Sequence, residues 1–327
     1  MKKKKYYKNW FSSLKFMFSR FGIGQYNILE YRESKTSDNW LVKYGNFDKT
    51  SLKGDGERIM VLDTGVDPNH KEIIGKVHPK CFIKNCSDPI DYFDYCNHGT
   101  FVIGEIISDN FGISPNSECI SAKVLYGDGR DSNLHKFEKN VVKAIQYACY
   151  KECGVISMSF GSPHKSLIIE DALETAVEMG IIPIAAAGNE GLRGSPYKSY
   201  PASFENCISV AGANQKGLPS WYSTSGKKGK RSEQPEVAIA NLNYHHGILT
   251  KDKYGVMSGT SIACPIVAGL ALLWREKMKK EGTMPLGKNV LDSFRNWIYT
   301  NVVDTNENGW DNELGYGVLK LTPWESL

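Results

Sequence analysis

No apolar run in this chain approaches the roughly 20 residues that a membrane-spanning helix needs. The one apolar stretch near the start is broken by Lys15 and Arg20 and has no small-residue cleavage site after it, so a secretory signal is not expected either. Charge of one sign is also scarce. Forty Lys and Arg stand against 36 Asp and Glu, and much of the net +4 lies in two runs, Lys2-Lys3-Lys4-Lys5 and Lys227-Lys228-Gly229-Lys230-Arg231. Neither run belongs to a nucleic-acid module, so the second reads as a solvated loop and nucleic acid is excluded as a partner. Internal repeats and low-complexity linkers are missing, which argues for one folded domain rather than an array. The eight cysteines are an even number, which permits disulfides without requiring them. With no signal segment, the expectation is a reducing cytoplasm with free thiols, secretion by another route being the alternative.

What is present is enough apolar material, 41% of 327 residues, to bury a large core. Strand patterns near 59–62, 120–125, 155–160, 181–187 and 207–213 alternate with helical patterns near 100–107, 135–150, 167–180 and 261–280. That alternation predicts an α/β protein with a mostly parallel central sheet and helices on both faces. A functional site then belongs at the carboxyl ends of the strands.

Three segments place reactive side chains at element ends. Ser258-Gly259-Thr260-Ser261-Ile262-Ala263-Cys264-Pro265 puts a serine at the mouth of a helix, with Pro265 expected in the first turn, where its missing N–H is not needed. Such a serine is either a helix cap or a group whose oxygen exploits free N–H donors and the positive dipole end. Ile59-Met60-Val61-Leu62 reads as a buried strand ending in Asp63-Thr64-Gly65-Val66-Asp67, a carboxylate well placed to orient an imidazole. Asn97-His98-Gly99-Thr100 opens a helix, so His98 also sits at an element start. Asp, His and Ser in that order, each at an element end, form the constellation of nucleophilic acyl transfer.

These segments resemble the subtilisin-like serine proteases, the subtilases: DTGVD, NHGT and SGTSIACP match that family's aspartate, histidine and serine motifs. The resemblance implies a three-layer subtilisin-like fold in which Asp63 orients His98, His98 acts as general base and then general acid, and Ser261 is the nucleophile. Gly188-Asn189-Glu190-Gly191, after the apolar run Ile181–Ala187, matches the motif whose asparagine donates to the tetrahedral oxyanion, so Asn189 takes that role beside the Ser261 N–H; read alone, it is an Asx turn. Ala122–Leu125 with Gly127-Asp128-Gly129 resembles one edge of a substrate cleft, and Val155–Gly161 the opposite edge, between which an extended protein or peptide substrate gains main-chain hydrogen bonds. Tyr200-Pro201-Ala202 and Gly315-Tyr316-Gly317-Val318 match two further landmarks. By resemblance, Ser159-Phe160-Gly161 and Ala186-Ala187-Gly188 surround the pocket for the residue before the cut. Ser199 then lines its base, Glu190 stands on its rim and favours a basic or polar end, and Phe160 shapes a pocket further upstream.

The chain also departs from the family. Between His98 and Pro115 it is short where many members insert a calcium loop; the helix is expected to run on through Asp109-Asn110-Phe111-Gly112. A structural calcium stays an option, the metal ligands are not assigned, and the chemistry itself needs no cofactor. Asp304–Gly309 looks like half of a calcium loop but lacks the closing glutamate, since Gly315 stands there, and reads as a solvated loop. Pro235–Asn241 replaces the usual aspartate and Ala-Pro-Gly turn.

Residues 1–54 form an extension before a catalytic domain of residues 55–327, too short for the folded pro-domain of secreted members. Intracellular subtilisins fit best. Trp10, Phe11, Leu14, Met17, Phe18 and Phe21 recur at helical spacing among Lys8, Lys15 and Arg20. That pattern suits a brake docked on the catalytic domain, a membrane-surface contact through residues 8–21 or a flexible basic tail. The resemblance thus implies a cytoplasmic serine endopeptidase, with a dedicated leader-processing protease as the alternative. A silent scaffold is disfavoured because Asp63, His98, Asn189 and Ser261 are all present, and an esterase because the chain lacks G-x-S-x-G around Ser261. Nothing in the sequence fixes an oligomeric state.

Overall fold

The apolar run at residues 59–62 forms the middle of strand β1 (Arg58–Asp63), and its alternating side chains supply both halves of the core: Ile59 and Val61 point into one buried cluster, Met60 and Leu62 into the other. A strand covered on both faces in this way reads as continuously apolar and belongs in a parallel sheet. The computed structural model describes residues 43–83, 91–127, 133–191, 198–227, 234–241, 245–306 and 308–321. Around β1 it places β2 (Val77–Cys81), β3 (Glu118–Lys123), β4 (Val155–Met158), β5 (Ile182–Ala186), β6 (Ile208–Ala213) and β7 (Val237–Ala240). Two short strands, β10 (Val302–Val303) and β11 (Val318–Leu319), complete the order β10-β11-β7-β6-β5-β4-β1-β3-β2, with only the β10–β11 pair antiparallel. A separate antiparallel hairpin is made by β8 (His245–Leu249) and β9 (Lys253–Met257).

Helices cover both faces, as the alternation predicts. On one side lie α1 (His98–Ile107), α4 (Thr260–Lys280) and α5 (Asn289–Thr300), whose Phe101, Leu270, Trp274 and Phe294 share a cluster with Val61, Ile184 and Val210. On the other lie α2 (Leu134–Tyr150) and α3 (Leu167–Glu178), whose Phe137, Val141, Ile169 and Leu173 pack on Met60, Ile156 and Ala185. The fold is therefore α/β, three-layered and built on a mostly parallel sheet. No helix among the described residues is long and apolar enough to cross a membrane.

Two local expectations are corrected. Helix α1 stops at Ile107, with Ser108 already extended, rather than running through Asp109–Gly112. The next loop is closed from within: the Ser108 Oγ accepts from Phe111 N at 3.2 Å, while Asn110 donates its N at 3.0 Å and its Nδ2 at 2.6 Å to the Glu72 carboxylate. The cysteines are also not uniformly free. Cys96, Cys119, Cys149, Cys153, Cys207 and Cys264 are free thiols, but Cys81, at the end of β2, is disulfide-bonded to a partner outside the described residues. Alkylation of the unfolded chain without reductant should therefore label six of the eight cysteines, and all eight after reduction, as read by intact mass. Eight labels without reductant would remove the disulfide.

Candidate active site

Asp63 is the last residue of β1, so its carboxylate leaves the sheet where the chain turns, and the next N–H, that of Thr64, donates to its Oδ1 at 2.7 Å. Helix α1 delivers the imidazole. Asn97 takes a left-handed conformation (φ 65°), and its side-chain oxygen accepts from Thr250 N at 3.0 Å and Thr250 Oγ1 at 2.7 Å, fastening the helix entrance to the β8–β9 turn. His98 follows, with Nδ1 2.5 Å from Asp63 Oδ1. Gly99 has to be glycine: a Cβ there would lie 2.1 Å from the Gly65 carbonyl and 3.2 Å from Asp63 Oδ1, forcing helix and strand end apart. Burial pushes the His98 imidazole down to about 3, so it stands neutral at neutral pH and can accept a proton. The same burial pushes the Asp63 carboxyl up, opposed by the Thr64 N–H.

Sequence reasoning missed Asp94 and Thr64. Asp94 is fully buried; its Oδ2 accepts from Thr100 N at 2.8 Å in the first turn of α1, and its Oδ1 accepts from Cys96 N at 3.1 Å. Thr64 Oγ1 lies 3.1 Å from Asp63 Oδ1 and 3.0 Å from Asp94 Oδ1 while accepting from Gly99 N at 3.0 Å. Its single hydroxyl proton can serve only one carboxylate at a time, so Thr64 ties the two acids to one helix start. An acidic residue just before a helix is the signal that could have flagged Asp94. Cys96 donates its thiol toward Asp94 Oδ1 at 3.4 Å, and burial pushes that thiol well above its usual range, which keeps it protonated and unreactive.

Ser261 is the second residue of α4. Pro265 is its sixth residue, not part of the first turn, and the N–H it lacks would have served the Ser261 carbonyl four residues back. Ser159, just past β4, takes over that duty: its Oγ donates to Ser261 O at 2.8 Å. Asn189, three residues beyond β5, is locked in orientation by the same helix start. Its Oδ1 accepts from both Thr260 N and Thr260 Oγ1, each at 3.0 Å, leaving the buried Nδ2 without a hydrogen-bond partner among the described residues. That amide faces the serine across Gly259, where a Cβ would sit 3.4 Å from both Asn189 Nδ2 and Ser261 Oγ. A carbonyl oxygen gaining negative charge beside Ser261 would find a donor already aimed and desolvated.

The pocket residues expected from the sequence also come together. A Cβ on Gly161 would strike Ser199 Oγ, and one on Gly188 would meet Glu190 Oε2 at 2.9 Å and Ser199 Cβ at 3.5 Å, so these four line one space. Glu190 Oε2 accepts from Thr224 Oγ1 at 3.2 Å, and Gly188 N donates to Thr260 Oγ1 at 3.1 Å. Ala187 joins a small alanine-rich cluster beside them and its carbonyl accepts from Gln234 Nε2 at 3.0 Å. Phe160 packs edge-on against Phe137 of α2, with ring centroids 5.2 Å apart. Gly127 lies against Cys96, whose Sγ a Cβ there would overlap. Gly129 and residues 8–21 fall outside the described residues. His98 and Ser261 are 1% and 4% exposed.

Among the described residues no group of three or more His, Cys, Asp and Glu side chains is arranged to hold a metal ion. In the segment 304–309, Gly309 N donates to Asp304 Oδ2 at 2.7 Å.

The chain is 30% identical over 250 residues to subtilisin amylosacchariticus of Bacillus subtilis subsp. amylosacchariticus, covering 75% of this chain and 62% of that protein. It is 31% identical over 226 residues to the subtilisin of Bacillus pumilus, covering 67% and 77% of the two chains. Against the thermostable alkaline protease of Halalkalibacterium halodurans, identity is 34% over 235 residues, covering 68% and 58%. The chain thus spans about 62% of the first of these relatives and less of the third. The subtilase family model matches residues 54–317, which take in Asp63, His98, Asn189 and Ser261, and the chain belongs to the subtilase family.

Proposed function

We propose that this protein is a serine endopeptidase that cleaves protein or peptide chains by acyl transfer. The observation that carries the reading is the Asn189 amide, turned by two bonds from Thr260 toward a point it shares with Ser261 Oγ. In the reaction, Ser261 Oγ attacks the scissile carbonyl while His98 Nε2 takes its proton. Asp63, accepting from Nδ1–H, holds the ring in the tautomer that leaves Nε2 basic and balances the imidazolium that forms. Asn189 Nδ2 and the Ser261 N–H receive the negative charge on the tetrahedral oxygen. His98 then protonates the leaving amine, and water repeats the sequence on the acyl-enzyme. No cofactor enters these steps. The small-walled space at Gly161, Ala187 and Gly188, with Ser199 at its base and Glu190 on its rim, suits a long side chain with a basic or polar end before the cut. Gly127–Gly129 and Ser159–Gly161 are the candidate edges that pair with the extended substrate.

Residues 1–54 serve as a regulatory extension to the catalytic part, residues 55–327. The recurrence of Trp10, Phe11, Leu14, Met17, Phe18 and Phe21 among Lys8, Lys15 and Arg20 supports a brake that must yield before a substrate enters. The compartment is read as cytoplasmic on the six free thiols; the Cys81 disulfide favours secretion by another route, and alkylation of the protein taken from its own cells separates the two.

The test is intact mass of wild type beside Ser261→Ala, incubated with calcium or a chelator. Wild type should lose an N-terminal piece while Ser261→Ala stays whole, and deletion of residues 1–35 should raise the initial rate of peptide hydrolysis. An unchanged rate after deletion removes the brake. Failure of the wild type and of the shortened form to cut any member of a peptide library removes the peptidase reading.

A further inference from the structure

Gly259 O and Thr260 N belong to one peptide plane, and that plane is gripped by two asparagines from opposite sides. Thr260 N donates to Asn189 Oδ1 at 3.0 Å, as described above. On the other side, Asn241 Nδ2 donates to Gly259 O at 2.6 Å. Asn241 sits directly after β7, is fully buried, and has its own N–H bonded to Ala213 O at 3.0 Å, so its backbone is anchored to the end of β6. Its amide orientation is not arbitrary. The Tyr222 hydroxyl donates to Asn241 Oδ1 at 2.8 Å, and this fixes Nδ2 as the end that meets Gly259. Burial pushes the Tyr222 phenol up, so it stays protonated and remains a donor across the working pH range. Gly212, within β6, makes the room: a Cβ there would lie 2.7 Å from Tyr222 OH and 3.1 Å from Asn241 Oδ1.

We infer that Asn241 and Tyr222 are positioning residues for the oxyanion-binding amide. Through Gly259 they set the tilt of the Gly259–Thr260 peptide and hence the direction in which Asn189 Nδ2 points. The inference rests on the reading of Asn189 as an oxyanion donor. Gly259 has φ 146° and ψ 160°, a conformation that L side chains rarely adopt, so its peptide gains nothing from local preference and depends on these outside partners. A hydrogen-bond donor meant for a transition state acts only if its direction is fixed beforehand, because rotation during the reaction forfeits the benefit.

The experiment is a double-mutant cycle on the full chain, with a peptide-amide substrate, kcat and KM measured separately and the thermal midpoint of each variant recorded. Asn241→Ala should lower kcat roughly tenfold, about the worth of one hydrogen bond, with KM within twofold. Tyr222→Phe keeps the ring packing and should lower kcat by a smaller factor, so the question survives if Asn241→Ala folds poorly. Asn189→Ala alone should lower kcat by about 10²–10³, the size measured for such a donor in a bacterial subtilisin. In the Asn189→Ala background, Asn241→Ala and Tyr222→Phe should then cost nothing further in kcat. Equal losses in both backgrounds would overturn the inference while leaving the role of Asn189 intact. An unchanged kcat for Asn189→Ala would remove the oxyanion reading, and the inference with it.

Discussion

Replacing Ser261 by alanine is expected to lower kcat by about 10⁶, with KM nearly unchanged, and replacing His98 by alanine to lower it as far; this is the magnitude measured for the triad of a bacterial subtilisin. The chain's own geometry argues for the non-additivity. Ser261 Oγ is a weak nucleophile until a base removes its proton, and His98, buried and neutral, has no proton to accept once the hydroxyl is gone. The double variant should therefore be no slower than either single one. What remains, roughly a few thousandfold over water, comes from the Asn189 amide and from binding. Steady-state hydrolysis of a chromogenic peptide by variants of matched circular dichroism reads this directly. A Ser261→Ala protein that keeps about a hundredth of wild-type turnover, after purification free of contaminating protease, would sink the assignment of the nucleophile.

Asp63→Asn should cost about 10⁴ in kcat. The His98 ring lies in a site that strongly disfavours charge, so the imidazolium of the transition state depends on a countercharge at 2.5 Å. Asparagine fills the same volume and can still offer an oxygen to Thr64 N, but it brings no charge. The sign of the pH effect follows. Removing a negative neighbour favours the neutral ring, the imidazolium pKa falls, and the acid limb of kcat/KM moves to lower pH. A limb that stays in place or moves to higher pH in Asp63→Asn would count against Asp63 as the partner of His98.

The places of Asp63, His98, Asn189 and Ser261 in the fold are legible in the sequence because each follows or opens a segment with a strong local pattern: Asp63 ends an apolar strand, Asn189 follows another, and His98 and Ser261 start helices. The sheet's middle is legible for the same reason, since a strand buried on both faces reads as an unbroken apolar run. The edge strand β2, Val-His-Pro-Lys-Cys, alternates between half-buried and exposed and carries a proline that only an edge tolerates, so no pattern marks it. The hairpin β8–β9, with His245 and His246 in its first strand, is decided by pairing and not by composition. Asp94, Thr64, Tyr222 and Asn241 stay invisible for a further reason. Their work is done on groups that sequence does not place beside them: Thr64 meets Asp94 across 30 positions, and Tyr222 and Gly259 stand 19 and 18 positions to either side of Asn241. Pro265 stands a turn deeper in its helix than its motif suggests, and Ser159 standing in for its missing N–H is visible only once helix and strand are docked.

Helix α4 packs beneath β4, β5 and β6, strands that precede it in the chain. Because synthesis runs from the amino end, the segment bearing Ser261 leaves the ribosome after Asp63, His98 and Asn189 have already been made, and it has a place to dock only when those strands are assembled. A polypeptide interrupted anywhere before this helix lacks Ser261. On the proposed mechanism, truncated products should then show no cutting activity, and this timing follows from the order of the elements.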